Sequence, residues 1–212
     1  AIGNQTAVII ERKQAEEALR RAEEKYRNIF ENSLDGIFQS TPAGRFITVN
    51  PALARMWGYD SPEDLVASVT DIANQVYINS DVRTEHMRLL KEQGGNLSAF
   101  EYQAHRKDGS VIWVSENVRS VRGADGALLY FEGTVEDIST NKQAEEAIQR
   151  RDKILEALAY SGEQLLSSTV LEIHLPNILS HLGKAIEVSR VYIFENHSSA
   201  EGELLTSQRY EW

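Results

Sequence analysis

The 212 residues carry 22 Lys and Arg against 32 Asp and Glu, a formal net charge of −10, so the chain offers no basic surface for a phosphate backbone. Cysteine is absent, which excludes disulfides, thiolate metal sites, cysteine nucleophiles and photochemistry that needs a cysteine–chromophore bond. The 42% hydrophobic and 25% charged residues are ordinary for a soluble globular protein. No apolar run reaches a membrane span and no signal-peptide pattern is present, so a cytoplasmic setting is expected, with neither nucleic-acid nor membrane contact within this chain.

The chain opens on a helical connector, residues 1–30. Ala15, Leu19, Ala22, Tyr26 and Ile29 are spaced 4, 3, 4, 3, the rhythm of a coiled-coil seam. Glu16, Glu17, Arg20, Arg21, Glu23, Glu24, Lys25 and Arg27 between them suit a solvated, ion-paired face. Its hexapeptide Lys13–Ala18 recurs at Lys142–Ala147, about one domain length away. The second copy starts another connector, residues 140–168, whose seam is Ala144, Ile148, Arg151, Leu155, Leu158, Gly162 and Leu165. Two such helices predict a homodimer. The alternative is that each stripe packs on its own domain.

Between the connectors, residues 31–139 read as an α+β domain. Asp35–Ser40 and Phe46–Asn50 are strand-like, joined by the turn Thr41-Pro42-Ala43-Gly44. Asn50 caps a helix with Pro51 at its first position, and Gly58 stops it. Ser61-Pro62-Glu63-Asp64 starts another, and Asp81–Gln93 is a longer helix ended by Gly94-Gly95. Leu97–Arg106, Val111–Val121 and Ala127–Ile138 are three strands joined by Lys107-Asp108-Gly109-Ser110 and Gly123-Ala124-Asp125-Gly126. The expected architecture is a five-stranded antiparallel sheet with short helices on one face, flanked by amphipathic coiled-coil-type helices.

Strand alternation assigns the inward positions. Phe100, Tyr102, Ile112, Val114, Glu116, Val118, Phe131, Gly133 and Val135 face the helices, an apolar lining with one carboxylate. Glu116 either contacts a polar ligand or sits at the rim or pairs with an Arg. The rarity of unpaired buried carboxylates favours the second reading.

Phe30-Glu31-Asn32-Ser33 leading into Asp35-Gly36-Ile37, then Asn50-Pro51, Trp57-Gly58-Tyr59, Arg106–Ser110, Trp113, Gly133 and Asp137-Ile138-Ser139, in that order and spacing, resemble a bacterial PAS sensor domain. The resemblance implies that Asp137, Ile138 and Ser139 end the last strand and transmit a signal into the following helix. It also makes Val8-Ile9-Ile10 the tail of an earlier PAS domain, unless it is only the apolar start of the first helix. Some PAS domains bind haem through a helix histidine. His86 stands on the long helix, but a lone helical histidine is more often solvated, so haem is not expected. Cysteinyl-flavin is excluded, and the ligand, if any, is an unidentified small molecule.

In the last region, residues 169–212, the Ser167-Ser168-Thr169 cluster ends the connector. A helix with Pro176 in its first turn carries the stripe Ile178, Leu179, Leu182 and Ile186. Val191–Glu195 and Leu204–Arg209 are strand-like. The string Ser189–Glu195 and the ending Gln208–Trp212 resemble the start of a GAF domain, which the chain leaves incomplete; two strands and a helix are expected to need another element to pack against. No glycine-rich phosphate loop, metal-ligand cluster or nucleophile–base pair is evident, and His86, His105, His174, His181 and His197 are scattered. The chain is therefore expected to be a non-catalytic sensory and dimerisation module of a larger protein, a histidine kinase first, with a diguanylate cyclase or phosphodiesterase fitting the connectors equally well. A constitutive assembly module without ligand is the alternative.

Overall fold

A computed structural model describes residues 2–167 and 171–212. They form two compact units, 1–140 and 141–212.

The first unit opens with helix α1 (Ile2–Asn32). The helix includes Val8–Ile10. Strands β1 (Gly36–Ser40) and β2 (Phe46–Val49) follow, then helices α2 (Pro51–Met56), α3 (Pro62–Ser68), α4 (Ile72–Gln75) and α5 (Ser80–Glu92). The three-strand meander β3 (Asn96–His105), β4 (Val111–Arg122) and β5 (Leu128–Asp137) comes next. All pairings are antiparallel and the order is β2-β1-β5-β4-β3. The strand that ends the domain in sequence is thus at the centre of its sheet.

Helices α2 to α5 each start on a side-chain cap: Asn50 accepts from Leu53 N–H, Ser61 from Asp64 N–H, Asp71 from Ala73 and Asn74 N–H, and Asn79 from Val82 N–H. Such caps satisfy amide donors that a helix leaves unpaired. Helix α4 is not among the expected elements, although Asp71 followed by apolar Ile72 is a start signal of this kind. Four residues are too few to show a helical period.

One core lies between the inner sheet face and α2–α5. It contains Phe38, Val49, Leu53, Trp57, Leu65, Val69, Leu90, Leu97, Tyr102, Ala104, Ile112, Val114, Val118, Phe131 and Val135. Gly133 has no side chain for a steric reason: a Cβ there would collide with the Asn117 carbonyl of the neighbouring strand.

Helix α6 (Ser139–Ser167) starts two residues after β5 ends. The second unit consists of its greater part, helix α7 (Leu171–Ala185) and the hairpin β6 (Tyr192–Ser198) with β7 (Leu204–Glu211). The predicted turn at Ser168-Thr169 lies outside the described residues. Pro176 is inside α7, not at its start. It costs one intrahelical hydrogen bond, and burial of Ile178 and Leu179 just beyond it holds the helix. Ala157 and Ser161 of α6 are buried, Tyr160 stacks on His181 at 4.0 Å, and a Cβ on Gly183 would strike the Trp212 ring. The hairpin therefore packs on α7, and α7 packs on α6, which is the further element that two strands and a helix need.

The seams remain uncovered. Leu19, Tyr26 and Ile29 of α1, and Ile148, Leu155, Leu158 and Leu165 of α6, are exposed.

Candidate functional site

The residues predicted to face inward do lie on the core side of the sheet. Tyr102, Ile112, Val114, Glu116, Val118, Phe131 and Val135 are buried, Phe100 packs against the core, and Gly133 is half-buried. Only Tyr102, Glu116 and Val135 of that set line the internal cavity. The remaining walls are Phe38, Ser40, Phe46, Leu53, Trp57, Ile72, Val76, Tyr77 and Arg83. They come from β1, β2, α2 and the segment from α4 to α5. The cavity measures about 20 Å³, room for roughly one water molecule.

Glu116 departs from the favoured sequence reading. It is neither at the rim nor paired with an arginine. Its side chain is buried, one carboxylate oxygen accepts from Tyr102 O–H at 2.8 Å, and the other lies 3.8 Å from His86 Nε2. A period-2 pattern gives a side chain's face but not its depth behind helices placed by distant sequence.

His86 also departs. It is 1% exposed, not solvated, and packs beside Phe100 and Tyr77. Its Nδ1 lies 3.2 Å from both Arg83 Nη1 and Tyr77 O–H. Arginine can only donate, so Nδ1 is the acceptor and the ring proton sits on Nε2, facing Glu116. Arg83 also donates to the Tyr77 hydroxyl at 3.2 Å and stacks over its ring. His86 Nε2 has no hydrogen-bond partner, and neither has the buried indole N–H of Trp57.

Burial sets the charge state of the cluster. It pushes the Glu116 carboxyl up from its ordinary 4.5 to about 7, against the pull of the Tyr102 hydrogen bond and the Arg83 charge. It pushes the His86 imidazole down from 6.5 to about 3, helped by Arg83. The Tyr102 hydroxyl is raised well above its ordinary value by burial and by the Glu116 charge. Near neutrality the site holds one cation, a neutral imidazole and a carboxyl poised to ionise.

Asp137, Ile138 and Ser139 close the domain. Arg106 Nη2 donates to Asp137 at 3.0 Å, and Asp137 Oδ1 accepts from Ser139 N–H at 2.9 Å. Trp113 N–H donates to Ser139 Oγ at 3.0 Å, and Ile138 N–H donates to Trp113 C=O at 2.9 Å. Ile138 is buried, so β4 goes on holding the chain until α6 begins. Glu116 pairs across the sheet with Val135, two residues before Asp137.

A five-stranded antiparallel sheet with its helices gathered over one face is the architecture of a PAS domain. The PAS domain family matches residues 34–140, and the chain belongs to that family. The methanogenesis regulatory histidine kinase FilI of Methanothrix harundinacea is 30% identical over 198 residues, 92% of this chain and 21% of that protein. The probable diguanylate cyclase DgcE of Escherichia coli is 27% identical over 67% of this chain and 12% of its own length. The chain thus spans about a fifth or less of these two curated relatives. Among solved structures, the PAS domain of a protein from Colwellia psychrerythraea matches 56% of this chain and 98% of that one, with 20% identity and a TM-score of 0.47. Among the described residues no helix is long and apolar enough to cross a membrane, and no group of three or more His, Asp or Glu could hold a metal ion.

Proposed function

We propose that this chain is a sensory and dimerisation module that passes a change in the PAS core to an output domain, in the manner of the input regions of sensor histidine kinases. The continuous path from core to helix carries this reading: Glu116 pairs with Val135, β5 runs through Asp137-Ile138-Ser139, and α6 begins at once. The exposed stripes on α1 and α6 support a homodimer through the connectors, because apolar side chains at seam spacing bury their area against a second copy. The histidine kinase among the relatives favours a kinase as output; the diguanylate cyclase supports a cyclase in its place. The segment from Ser189 to Trp212 fits the opening of a GAF domain.

A second reading, constitutive assembly without ligand, is favoured by the small cavity. Native mass spectrometry of freshly purified chain separates the two. A dimer with added mass supports ligand sensing, and a dimer at the bare mass supports assembly or a signal without mass. A monomer at micromolar concentration would sink the dimer.

A further inference from the structure

Polar and ionisable groups are costly to bury, yet this core holds Glu116, His86, Tyr77 and Tyr102, each at most 4–5% exposed, with Arg83 half-buried beside them. The void that Glu116, Tyr77, Tyr102 and Arg83 help to line has room for about one water. An internal signal that needs no further room is a proton. We propose that the Glu116–His86 pair is a proton switch: Glu116 takes up and releases a proton, and the change alters the fit of β4 against α5 and the exit at Ile138-Ser139. This deepens the sensory reading and rests on it only for the relay to an output; the titration belongs to this chain alone.

The geometry fixes which partner titrates. His86 Nδ1 accepts from Arg83 and Tyr77. A proton placed there would face a guanidinium that has no lone pair to receive it. The imidazole is therefore held neutral with its proton on Nε2, aimed at Glu116 Oε1 across 3.8 Å. That separation is too long for a hydrogen bond, and Nε2 has no other partner. When Glu116 ionises, its proton passes to solvent. The carboxylate becomes an acceptor-only group facing an unpaired N–H, and closing the gap satisfies both. When Glu116 is protonated the attraction falls and the gap stays open. No redox partner or co-reactant is involved.

The groups around Glu116 come from every side. Tyr102 on β3 donates to it; His86 and Arg83 project from α5, and Tyr77 from the segment before it. Val135 opposite on β5 and Phe38 on β1 are apolar. Burial and the Arg83 charge act on the carboxyl in opposite directions, and burial dominates, which sets the change near neutral pH. The movement has a short path outward. β4 pairs with β5 at Glu116–Val135, and Trp113, three residues before Glu116 on β4, holds Ile138 and Ser139 through its backbone.

The test is an NMR pH titration of the 212-residue chain with carboxyl-labelled glutamate and nitrogen-labelled histidine, without added ligand. One glutamate carboxyl, absent in Glu116→Gln, is expected to titrate with a midpoint near 7. His86 is expected to stay unprotonated at Nδ1 from pH 5 to 8. The Ile138 and Ser139 amide shifts are expected to move with the Glu116 midpoint, in Glu136→Gln as in the parent but not in Glu116→Gln. Tyr102→Phe removes the hydrogen bond that holds the carboxyl down and should raise the midpoint, a second handle if Glu116→Gln fails to fold. A Glu116 midpoint near 4.5, or an imidazole that gains a second proton in this range, overturns the switch. Titration of Glu116 without response at Ile138 and Ser139 overturns the relay. Either failure leaves ligand sensing to the mass-spectrometric result, so the two ideas fall separately.

Discussion

The PAS core meets its two long helices in different ways. At the entrance, Asn50 is completely buried and uses its whole carboxamide. Oδ1 accepts from Ile37 N–H at 2.9 Å and Leu53 N–H at 3.0 Å; Nδ2 donates to Phe30 C=O at 3.1 Å and Asp35 C=O at 2.9 Å. One side chain thus ties α1, β1 and α2 together. At the exit, Asp137 and Arg106 keep about a third of their side-chain surface in water, and Ser139 is half-buried. A buried, fully satisfied amide is expensive to disturb, whereas exposed ion pairs contribute little. The entrance is therefore the costlier end to disturb and the exit the cheaper, an asymmetry that fits the proposed relay toward α6.

The strongest way to break this contrast is Asn50→Ala. It removes the α2 cap and strands the Ile37 N–H in a buried position, for a loss of roughly 3 kcal/mol. Urea unfolding measures it, and a loss below about 1 kcal/mol would remove the distinction between the two ends. Next is the buried pair next to the exit strand. Glu116 has a folded value raised above 4.5, so its contribution is complete below about pH 4.5 and disappears as pH rises toward about 7. His86 has a depressed value, so its contribution is complete above about pH 6.5 and disappears as pH falls toward about 3. The two slopes oppose each other between about pH 4.5 and 6.5. Glu116→Gln removes only the first, so its stability relative to the parent should rise by about 3 kcal/mol from pH 4.5 to 7.5. A difference that does not vary with pH would mean that Glu116 titrates alike folded and unfolded. A smaller effect returns to the entrance: a Cβ on Gly36 would collide with Leu53, and Gly36→Ala should cost about 1–3 kcal/mol by overpacking.

The sequence shows these regions unequally. Asn50 is legible as a cap because Pro51 follows it and an apolar helix comes next, but its bonds to Phe30 and Asp35 depend on how the chain returns to itself. Alternation along β3, β4 and β5 places nine residues on the inner face of the sheet, and the turn glycines fix the strand limits. The same alternation cannot supply Tyr77, His86 and Arg83. These come from an irregular stretch and an amphipathic helix, and they reach Glu116 only through tertiary packing. Pro176 read as a helix start because local stereochemistry favours the first turn; packing of the residues beyond it outweighed one lost hydrogen bond.

The exit should respond to mutation in the opposite sense from the entrance, with small energies and large consequences. Ser139→Ala removes the Oγ that receives the Trp113 N–H and should cost about 1 kcal/mol. Asp137→Ala should cost less, under about 1 kcal/mol, since its partner Arg106 is partly solvated and the ion pair is screened. In a sensor protein that joins this chain to an output domain, the order of effects is expected to reverse. Without Asp137 the start of α6 loses both the carboxylate that receives the Ser139 N–H and the link to Arg106 at the end of β3. The helix can then enter at more than one pitch, and input should no longer govern output although the domain remains folded. Unfolding curves and a signalling assay on the same variant measure the two quantities separately. A variant that loses little stability and keeps full regulation would place the relay elsewhere in the sheet, and a variant that unfolds would make the exit as rigid as the entrance.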